Sequence, residues 1–243
     1  MDRLLRVVSR FAEVNADFGP TRNGMKQLKI SIVSDVVCPW CYIGKHRFEK
    51  ALLAVGADVD VKVDWQPFAL NPQMPCEGMD RKAYRIAKFG SWAKSQAMDT
   101  QVADAGADEG INFDFAAMKR TPNTFEAHRL IWFAGRTAQE NEIVEQLFRA
   151  YFIEGRDIGD RETLVRIAES CGLAASTTRS FLESDEGTSE VERAAGNAQR
   201  SGISGVPTFI INSTYAITGA QNTDVFRAAL SKVLLEAPTS SRA

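Results

Sequence analysis

The sequence has few cysteines, no long apolar run and almost no net charge. Its 243 residues include four cysteines and two histidines, and the formal net charge is −2. No stretch approaches the roughly twenty apolar residues that a membrane-spanning helix needs, so we expect no membrane partner. Because the chain is not basic, nucleic acid is not an expected partner either. The length and a hydrophobic content of 44% predict a globular protein with a sizeable core.

Two of the four cysteines form a close pair, Cys38 and Cys41, in the order Cys-Pro-Trp-Cys. An alternating apolar run over residues 28–32 precedes the pair and predicts a strand. From Cys41 to Val55, apolar residues recur at three- and four-residue steps, which predicts a helix. A single C-x-x-C between a strand and a helix is typical of a thioredoxin-like redox motif.

The two cysteines are predicted to have different roles. Cys38 lies just before the first helical turn, where unpaired N–H groups and the helix dipole stabilise a thiolate. Cys41 shares an apolar stripe with Phe48 and is expected to face the core. We therefore expect an exposed attacking thiol and a shielded resolving thiol. Pro39 suits the first helical position, and both Pro39 and Trp40 are expected to contact a substrate chain.

Half of a zinc site is the alternative interpretation of the pair. Structural zinc takes four ligands, and Cys76 and Cys171 show no second C-x-x-C spacing, so we expect no metal. Cys171 is interpreted as a core thiol and Cys76 as an exposed loop residue, with a disulfide between them as the alternative. His46 is expected to face solvent. His128 either faces the redox site or packs in the core.

The order of the predicted elements indicates the fold class. The chain is predicted to form a strand at 27–34, a helix at 39–55 and a second strand at 58–66. The alternation of polar and apolar residues in the second strand favours a position at the sheet edge. Helices follow to about residue 200, including one at 82–105 and one opened by Asn123 with Glu126 as its reach-back acid. Two short strands and a helix are predicted at 206–211, 215–218 and 223–235. We therefore predict an α/β thioredoxin fold with a large all-helical insertion between the second and third strands.

This order also predicts the domain organisation. We predict an N-terminal extension at residues 1–24 and a tail at 238–243. Between them, the thioredoxin domain is predicted in two parts, 25–75 and 201–237, with a helical insertion at 76–200. Arg6, Arg10 and Glu13 interrupt any signal-peptide core, and Met25 is an alternative start. Without an export signal we expect a cytoplasmic protein, in which a C-x-x-C is catalytic and not structural.

A second candidate part of the site is the segment from Gly205 to Thr208, which precedes the third strand. A proline is tolerated at the start of a strand because no ladder hydrogen bond is lost there. In a thioredoxin-type fold Pro207 is cis and packs against the C-x-x-C, and the neighbouring backbone pairs with an incoming peptide or glutathione. An ordinary trans proline entering a strand is the alternative.

Six ordered segments carry a resemblance to a known family. They are Ser34–Gly44, Trp65–Pro72, Thr121–Thr124, Ala127–Arg129, Leu147–Phe152 and Gly202–Phe209. Across residues 26 to about 235 the chain resembles the DsbA-like thioredoxin family, specifically its FrnE-type cytoplasmic branch. The resemblance implies a disulfide oxidoreductase or isomerase in which Cys38 attacks, Cys41 resolves and Pro207 lies beside them.

The chain departs from the family pattern at two places. Pro39 and Trp40 separate the cysteines, where the exported oxidant of the wider family has Pro-His, so strong oxidising power is not implied. Cys76 stands where the resemblance leads us to expect no cysteine. The expected partners are thiol- or disulfide-containing proteins or small molecules, and the chain is expected to be a monomer or a homodimer.

A sister branch supplies the alternative function. The family that the chain resembles is related to glutathione transferase kappa and 2-hydroxychromene-2-carboxylate isomerase, which share the fold and use glutathione. They typically have a serine at the attacking position and lack the second cysteine, whereas this chain keeps both cysteines. The resemblance leaves glutathione plausible as a co-substrate, held by the Val206 backbone and by the turn of Gly219, Ala220, Gln221 and Asn222 before the last helix. A glutathione-dependent isomerase or transferase on a small organic substrate is therefore the alternative, and a redox-sensing or holdase module is a third possibility. No cofactor is required by the main interpretation.

Overall fold

The structure is a computed structural model that describes residues 26–236. The predicted extension at 1–24, the alternative start at Met25 and the tail at 238–243 lie outside the described residues. In the described part the elements are β1 Lys26–Ser34, α1 Pro39–Leu52, β2 Val59–Pro67, β3 Met79–Asp80, α2 Arg81–Phe89, α3 Trp92–Ala107, β4 Arg120–Thr121, α4 Phe125–Gly135, α5 Glu140–Phe152, α6 Arg161–Ser170, α7 Ala175–Glu183, α8 Thr188–Arg200, β5 Thr208–Ile211, β6 Tyr215–Thr218 and α9 Thr223–Glu236. Across residues 26–236, none of these helices has both the length and the apolar character needed to cross a membrane.

The described residues divide into two compact units. The first contains residues 26–34, 44–68 and 194–236, and the second contains residues 35–43 and 69–193. Of the four points of division, two follow the ends of β1 and β2, and two fall inside α1 and α8. The C-x-x-C segment therefore belongs to the second, mostly helical unit.

A four-stranded sheet in the order β2-β1-β5-β6 forms the first unit. β1 pairs in parallel with β2 and antiparallel with β5, so that Ile32 lies opposite both Trp65 and Phe209. β5 and β6 form an antiparallel hairpin. β2 lies at the sheet edge, as its alternation predicts.

The expected division of β2 into one buried and one wet face is wrong. Trp65 is buried, and the other residues of the strand are all half-buried. On the face expected to be wet, Asp64 accepts hydrogen bonds from the Ser31 hydroxyl at 2.8 Å and from the Gln66 amide at 2.7 Å. Burial raises the pKa of the Asp64 carboxyl above its ordinary value, although both hydrogen bonds oppose the rise. Hydrogen bonds therefore join the polar side chains at this end of the face.

An aromatic cluster anchors α1 and α9 to the sheet of the first unit. The Phe48 ring of α1 lies 5.1 Å from the Phe209 ring of β5 and 5.5 Å from the Phe226 ring of α9, measured between centroids. Phe209 and Phe226 are 4.7 Å apart in an edge-on arrangement. All three side chains are almost completely buried. This packing fixes the later turns of the helix that begins at the C-x-x-C.

The helices of the second unit differ from the predicted ones at two places. The helix expected at 82–105 is wrong, because it is broken at Gly90, which has a φ of 92° and ends α2. Ser91 then caps α3 by accepting a hydrogen bond from the Lys94 N–H at 3.2 Å. The expected reach-back by Glu126 is also wrong, because its carboxylate pairs with Arg129 at 2.9 Å instead.

Candidate functional site

A tight turn places Cys38 at the start of α1. β1 ends at Ser34, and the Cys38 N–H then donates to the Asp35 carbonyl oxygen at 2.9 Å. The Cys38 carbonyl oxygen accepts a hydrogen bond from the Cys41 N–H at 3.0 Å. Cys38 thus occupies the position that caps the helix, where unpaired N–H groups and the helix dipole favour an anion. Pro39 holds the first helical position, as predicted.

Both cysteines of the motif are thiols, and both are buried. Cys41 is 1% exposed, as expected of a shielded thiol. Cys38 is 6% exposed, so the expectation of an exposed attacking thiol is wrong in degree, although Cys38 is the more accessible of the two. The reason is that residues 34–36 before it are buried, so the strand ends inside the protein. Trp40, between the cysteines, is 40% exposed and presents its indole to solvent.

Helix α1 is buried on more than the single predicted stripe. Residues 41–45 are all buried. In the second unit, the Tyr42 ring stacks on Phe148 at 4.9 Å and its hydroxyl donates to the Glu145 carboxylate at 2.8 Å. His46 follows this buried segment and is itself half-buried, so its predicted position on a solvent face is wrong.

A buried carboxylate, Asp35, supports the turn that precedes Cys38. Asp35 is 1% exposed. One carboxylate oxygen accepts the Val37 N–H at 3.3 Å, and the other accepts the Leu70 N–H at 2.8 Å. The first oxygen also lies 3.6 Å from Nε2 of His128. The sequence pattern gives Asp35, which lies within the Ser34–Gly44 segment, no role, because the groups that it contacts are distant in sequence.

His128 and Tyr151 are the titratable groups near this carboxylate. His128 is 7% exposed, and its Nε2 has no hydrogen-bond partner among the described residues. This favours the alternative in which His128 lies beside the motif. The Tyr151 hydroxyl donates to the Arg120 carbonyl oxygen at 3.3 Å. Burial raises the pKa of the Tyr151 phenol, the charge of Asp35 adds to the rise and the charge of Arg81 opposes it.

We expect Asp35→Asn to lower the free energy of unfolding by about 1–3 kcal/mol. The asparagine NH2 group replaces one carboxylate oxygen, so one buried backbone N–H loses its acceptor. The amide can accept only one of the two N–H groups, those of Val37 and Leu70, that the carboxylate serves. The measurement is denaturant unfolding of the reduced protein. The same variant is expected to exchange disulfides more slowly, since the turn that holds Cys38 loosens.

Asp114→Asn is the matched control. Asp114 is exposed, and a single carboxylate oxygen accepts the N–H groups of Ala116 and Ala117 at 3.1 and 2.9 Å. An asparagine keeps that oxygen, so a change within about 0.5 kcal/mol is expected. Equal losses in the Asp35 and Asp114 variants would contradict a special role for the buried carboxylate.

The residues predicted from the G-V-P-T segment lie in the first unit. The peptide bond between Val206 and Pro207 is cis. The Pro207 ring lies against α1 so closely that a Cβ on Gly44 would be 2.9 Å from its Cγ. The Pro207 carbonyl oxygen accepts the Gly219 N–H at 2.8 Å, and that same Cβ would be 3.5 Å from the Ala220 Cα. The structure thus brings Pro207, Gly219 and Ala220 together around a glycine of α1.

The other two residues of the predicted glutathione turn make local contacts. The Gln221 amide donates to the Thr218 carbonyl oxygen at 2.9 Å, which closes the turn after β6. The Asn222 carbonyl oxygen accepts the Val225 N–H at 3.0 Å, so Asn222 begins the first turn of α9. Both residues are exposed.

Comparison with known proteins identifies the family. Residues 29–231 match the DSBA-like thioredoxin domain. The chain belongs to the DsbA-like thioredoxin family. A probable DsbA oxidoreductase from Streptomyces coelicolor is 31% identical, with a TM-score of 0.80 over 89% of this chain and 94% of that one. The uncharacterized protein YwbO of Bacillus subtilis is 32% identical over 83% of this chain and 95% of its own length.

A more distant solved structure shares the fold of this DsbA-like chain. It is the cytosolic disulfide reductase DsbM from Pseudomonas aeruginosa, 17% identical, with a TM-score of 0.59 over 85% of this chain and 98% of that one. DsbM has also been solved with GSH. At this identity the likeness concerns the fold alone.

The remaining cysteines of this DsbA-like protein lie apart from the motif. Cys76 is an exposed thiol, as expected, and Cys171 is a half-buried thiol at the end of α6, less enclosed than the expected core position. Burial raises the pKa of the Cys171 thiol, which makes it a weak nucleophile. Within residues 26–236, no group of three or more histidine, cysteine, aspartate or glutamate side chains is arranged to hold a metal ion.

Proposed function

We propose that this DsbA-like protein catalyses thiol–disulfide exchange, with Cys38 as the attacking thiol and Cys41 as the resolving thiol. The observation that carries the proposal is the position of Cys38 at the start of α1, where its carbonyl oxygen accepts the Cys41 N–H in the first turn. An anion there is stabilised by the helix N-terminus, and the thiolate is the reactive form of cysteine. Cys41 lies one turn further on, buried in the same helix.

The exchange balances in two steps. The Cys38 thiolate attacks one sulfur of a substrate disulfide, forms a mixed disulfide and releases the other substrate sulfur as a thiolate. The Cys41 thiolate then attacks Cys38 Sγ, which forms the Cys38–Cys41 disulfide and releases the second substrate thiolate. The substrate gains two electrons and the protein loses two. A thiol reductant such as glutathione returns them, and the reverse sequence oxidises a dithiol substrate.

Substrate binding is proposed at three of the predicted residues besides the cysteines. Trp40 offers a partly exposed indole between the two cysteines. Val206 and Pro207 are proposed to bind the backbone of a peptide or glutathione, with Pro39 setting the start of the helix. A cytoplasmic location is part of the proposal, and it is supported by the shared fold of DsbM, a cytosolic disulfide reductase.

A glutathione-dependent isomerase or transferase on a small organic substrate is the second candidate. The structure of DsbM with GSH supports this second candidate, because it is a protein of the same fold solved together with glutathione. The hydrogen bond from the Gly219 N–H to the Pro207 carbonyl oxygen also supports this candidate, because both residues belong to the predicted glutathione contacts. A serine in place of Cys38 would leave such an isomerase working, whereas it would stop disulfide exchange.

We expect Cys38→Ser to abolish reduction of insulin disulfides with glutathione as the electron donor, since no thiol remains to attack. The measurement is insulin reduction followed over many substrate equivalents per protein. Cys76→Ser is the control, because Cys76 is an exposed thiol outside the motif, and it should keep the rate of the unmodified protein. Insulin reduction that persists in the Cys38→Ser variant would contradict the assignment of Cys38 as the attacking thiol. If the unmodified protein is oxidised once and then stops after one equivalent of substrate, a redox-sensing module is favoured.

A further inference from the structure

A cavity lies in the helical unit, on residues that the redox proposal does not use. It has a volume of about 320 Å³ and is formed between α3 and the segment around Phe115. Its walls are mainly carbon, from the rings of Trp92 and Phe115 and the methyl groups of Ala103 and Ala116. The polar groups that line it are Arg81, Gln96, Asp99 and Thr100. We call it the Arg81 cavity.

Arg81 is a buried cation with unused hydrogen-bonding capacity. It is 4% exposed, and its guanidinium carbon lies 5.6 Å from the centroids of both the Trp92 and the Phe115 rings. Its guanidinium makes a single hydrogen bond to another described residue, from Nη2 to Asp99 at 2.7 Å. A guanidinium carries several more N–H donors in a planar fork. None of the remaining Arg81 nitrogens is a fully buried atom without a partner, so they are accessible to an acceptor that enters the cavity that Arg81 lines.

The charges around the cavity favour an anion. Asp99 is shared, because its second oxygen accepts a hydrogen bond from Arg85 at 2.6 Å. Two guanidinium groups therefore face one carboxylate, which leaves one positive charge in excess. Lys82 adds another cation 5.8 Å from the Trp92 ring. Asp114, next to Phe115 in sequence, does not line the cavity and accepts two backbone N–H groups of its own loop.

We propose that the Arg81 cavity binds a small organic anion, a carboxylate on a flat apolar body. The carboxylate pairs with the unused donors of Arg81, which are arranged for bidentate recognition. The flat body packs against the carbon walls beside Trp92 and Phe115. A volume of about 320 Å³ is at the small end of ligand pockets, so a molecule of one or two rings fits. This inference does not rest on thiol–disulfide exchange.

The cavity is also electrostatically linked to the redox motif within the same unit. The buried Tyr151 hydroxyl interacts with the charges of both Arg81 and Asp35. Asp35 in turn accepts the N–H of Val37 in the turn before Cys38. An anion paired with Arg81 therefore changes the electrostatic potential at Tyr151, which also interacts with Asp35.

The test uses 2-naphthoate as the probe and the full chain labelled with nitrogen-15. The four tryptophan indole N–H signals are assigned with single Trp→Phe variants, and the probe is titrated at neutral pH. We expect saturable shifts of the Trp92 signal and little change at the other three. The neutral analogue 2-naphthalenemethanol should bind about 10-fold or more weakly, because it cannot form the charged pair.

Two variants locate the site. Thr100→Phe fills the cavity from an exposed wall residue and should weaken 2-naphthoate binding at least 10-fold. Gln101→Phe, at the next and also exposed position of α3 but outside the lining, should leave the affinity unchanged. Equal binding of acid and alcohol, an unmoved Trp92 signal or an unaffected Thr100→Phe protein would each overturn the proposal. Because none of these readouts needs a working Cys38, failure here is distinguishable from failure of the exchange reaction.

Discussion

Cys41→Ser, incubated with oxidised glutathione and quenched in acid, is expected to carry one glutathionyl group on nearly every molecule. In that variant the Cys38 thiolate attacks the disulfide and forms the mixed disulfide, but no second thiol follows in the helix to release it. The unmodified protein should pass through the same adduct without accumulating it, because Cys41 lies one turn from Cys38. The intact mass of the quenched protein measures the adduct.

Cys38→Ser is the matched variant, and it should show no adduct at Cys41. Cys41 is 1% exposed, so a bulky disulfide cannot reach it. To exclude modification elsewhere, both variants are made in a background with Cys76→Ser, which removes the exposed thiol. An unmodified Cys41→Ser protein that still turns over a small organic substrate with glutathione would refute exchange and favour the isomerase or transferase.

Arg129→Met is expected to destabilise the helical unit by about 3–5 kcal/mol, as removal of one partner from a buried charged network does. Arg129 is 2% exposed in α4 and pairs with Glu126 at 2.9 Å. Its other donors hold the end of α7, bonding the carbonyl oxygens of Phe181, Ser184 and Glu186 at 3.2, 2.6 and 2.7 Å. Methionine keeps much of the packing volume but removes this donor from the carbonyl oxygens of Ser184 and Glu186, whereas the Phe181 carbonyl keeps the Ser184 N–H at 3.1 Å. Denaturant unfolding measures the loss.

Arg179→Met is the control for this loss. Arg179 pairs with Glu162 at 2.9 Å, as Arg129 does with Glu126, but both side chains are about half exposed. Exposed pairs contribute little because water solvates the separated charges equally well. The unfolding midpoint should therefore hardly move. If the two methionine variants unfolded alike, the burial of Arg129 would not be the cause of its effect.

The sheet and the helix at the motif were predictable because their signals are local. The alternation of β1 and β2, the three- and four-residue steps of α1 and the hairpin of β5 and β6 all appear in short stretches of sequence. The break in the long predicted helix was also readable, since Phe89-Gly90-Ser91 combines a helix-ending glycine with a capping serine. The apolar residues on both sides of this break continue a helical pattern, and the sequence pattern therefore predicts one helix across it.

The roles of Asp35 and Arg129 were not predictable in this way. Asp35 finds its partners at Leu70 and His128, far along the chain, and no local pattern shows that a carboxylate so placed is buried. The burial of Cys38 depends on the same tertiary packing. The glutathione turn and the substrate contacts of Trp40 remain predictions, because they concern molecules other than this chain.

The position of β1 in the sheet has a consequence for synthesis on the ribosome. β1 has two neighbours, and one of them, β2, follows it closely in sequence, with Ile32 paired to Trp65. The other, β5, pairs Ile30 with Ile211, which is translated only after the whole helical region. The nascent chain therefore exposes one edge of β1 and emerges with its two redox cysteines long before the sheet can close. The last step in forming the sheet of the first unit therefore waits for β5, and until then one edge of β1 stays open near the redox cysteines.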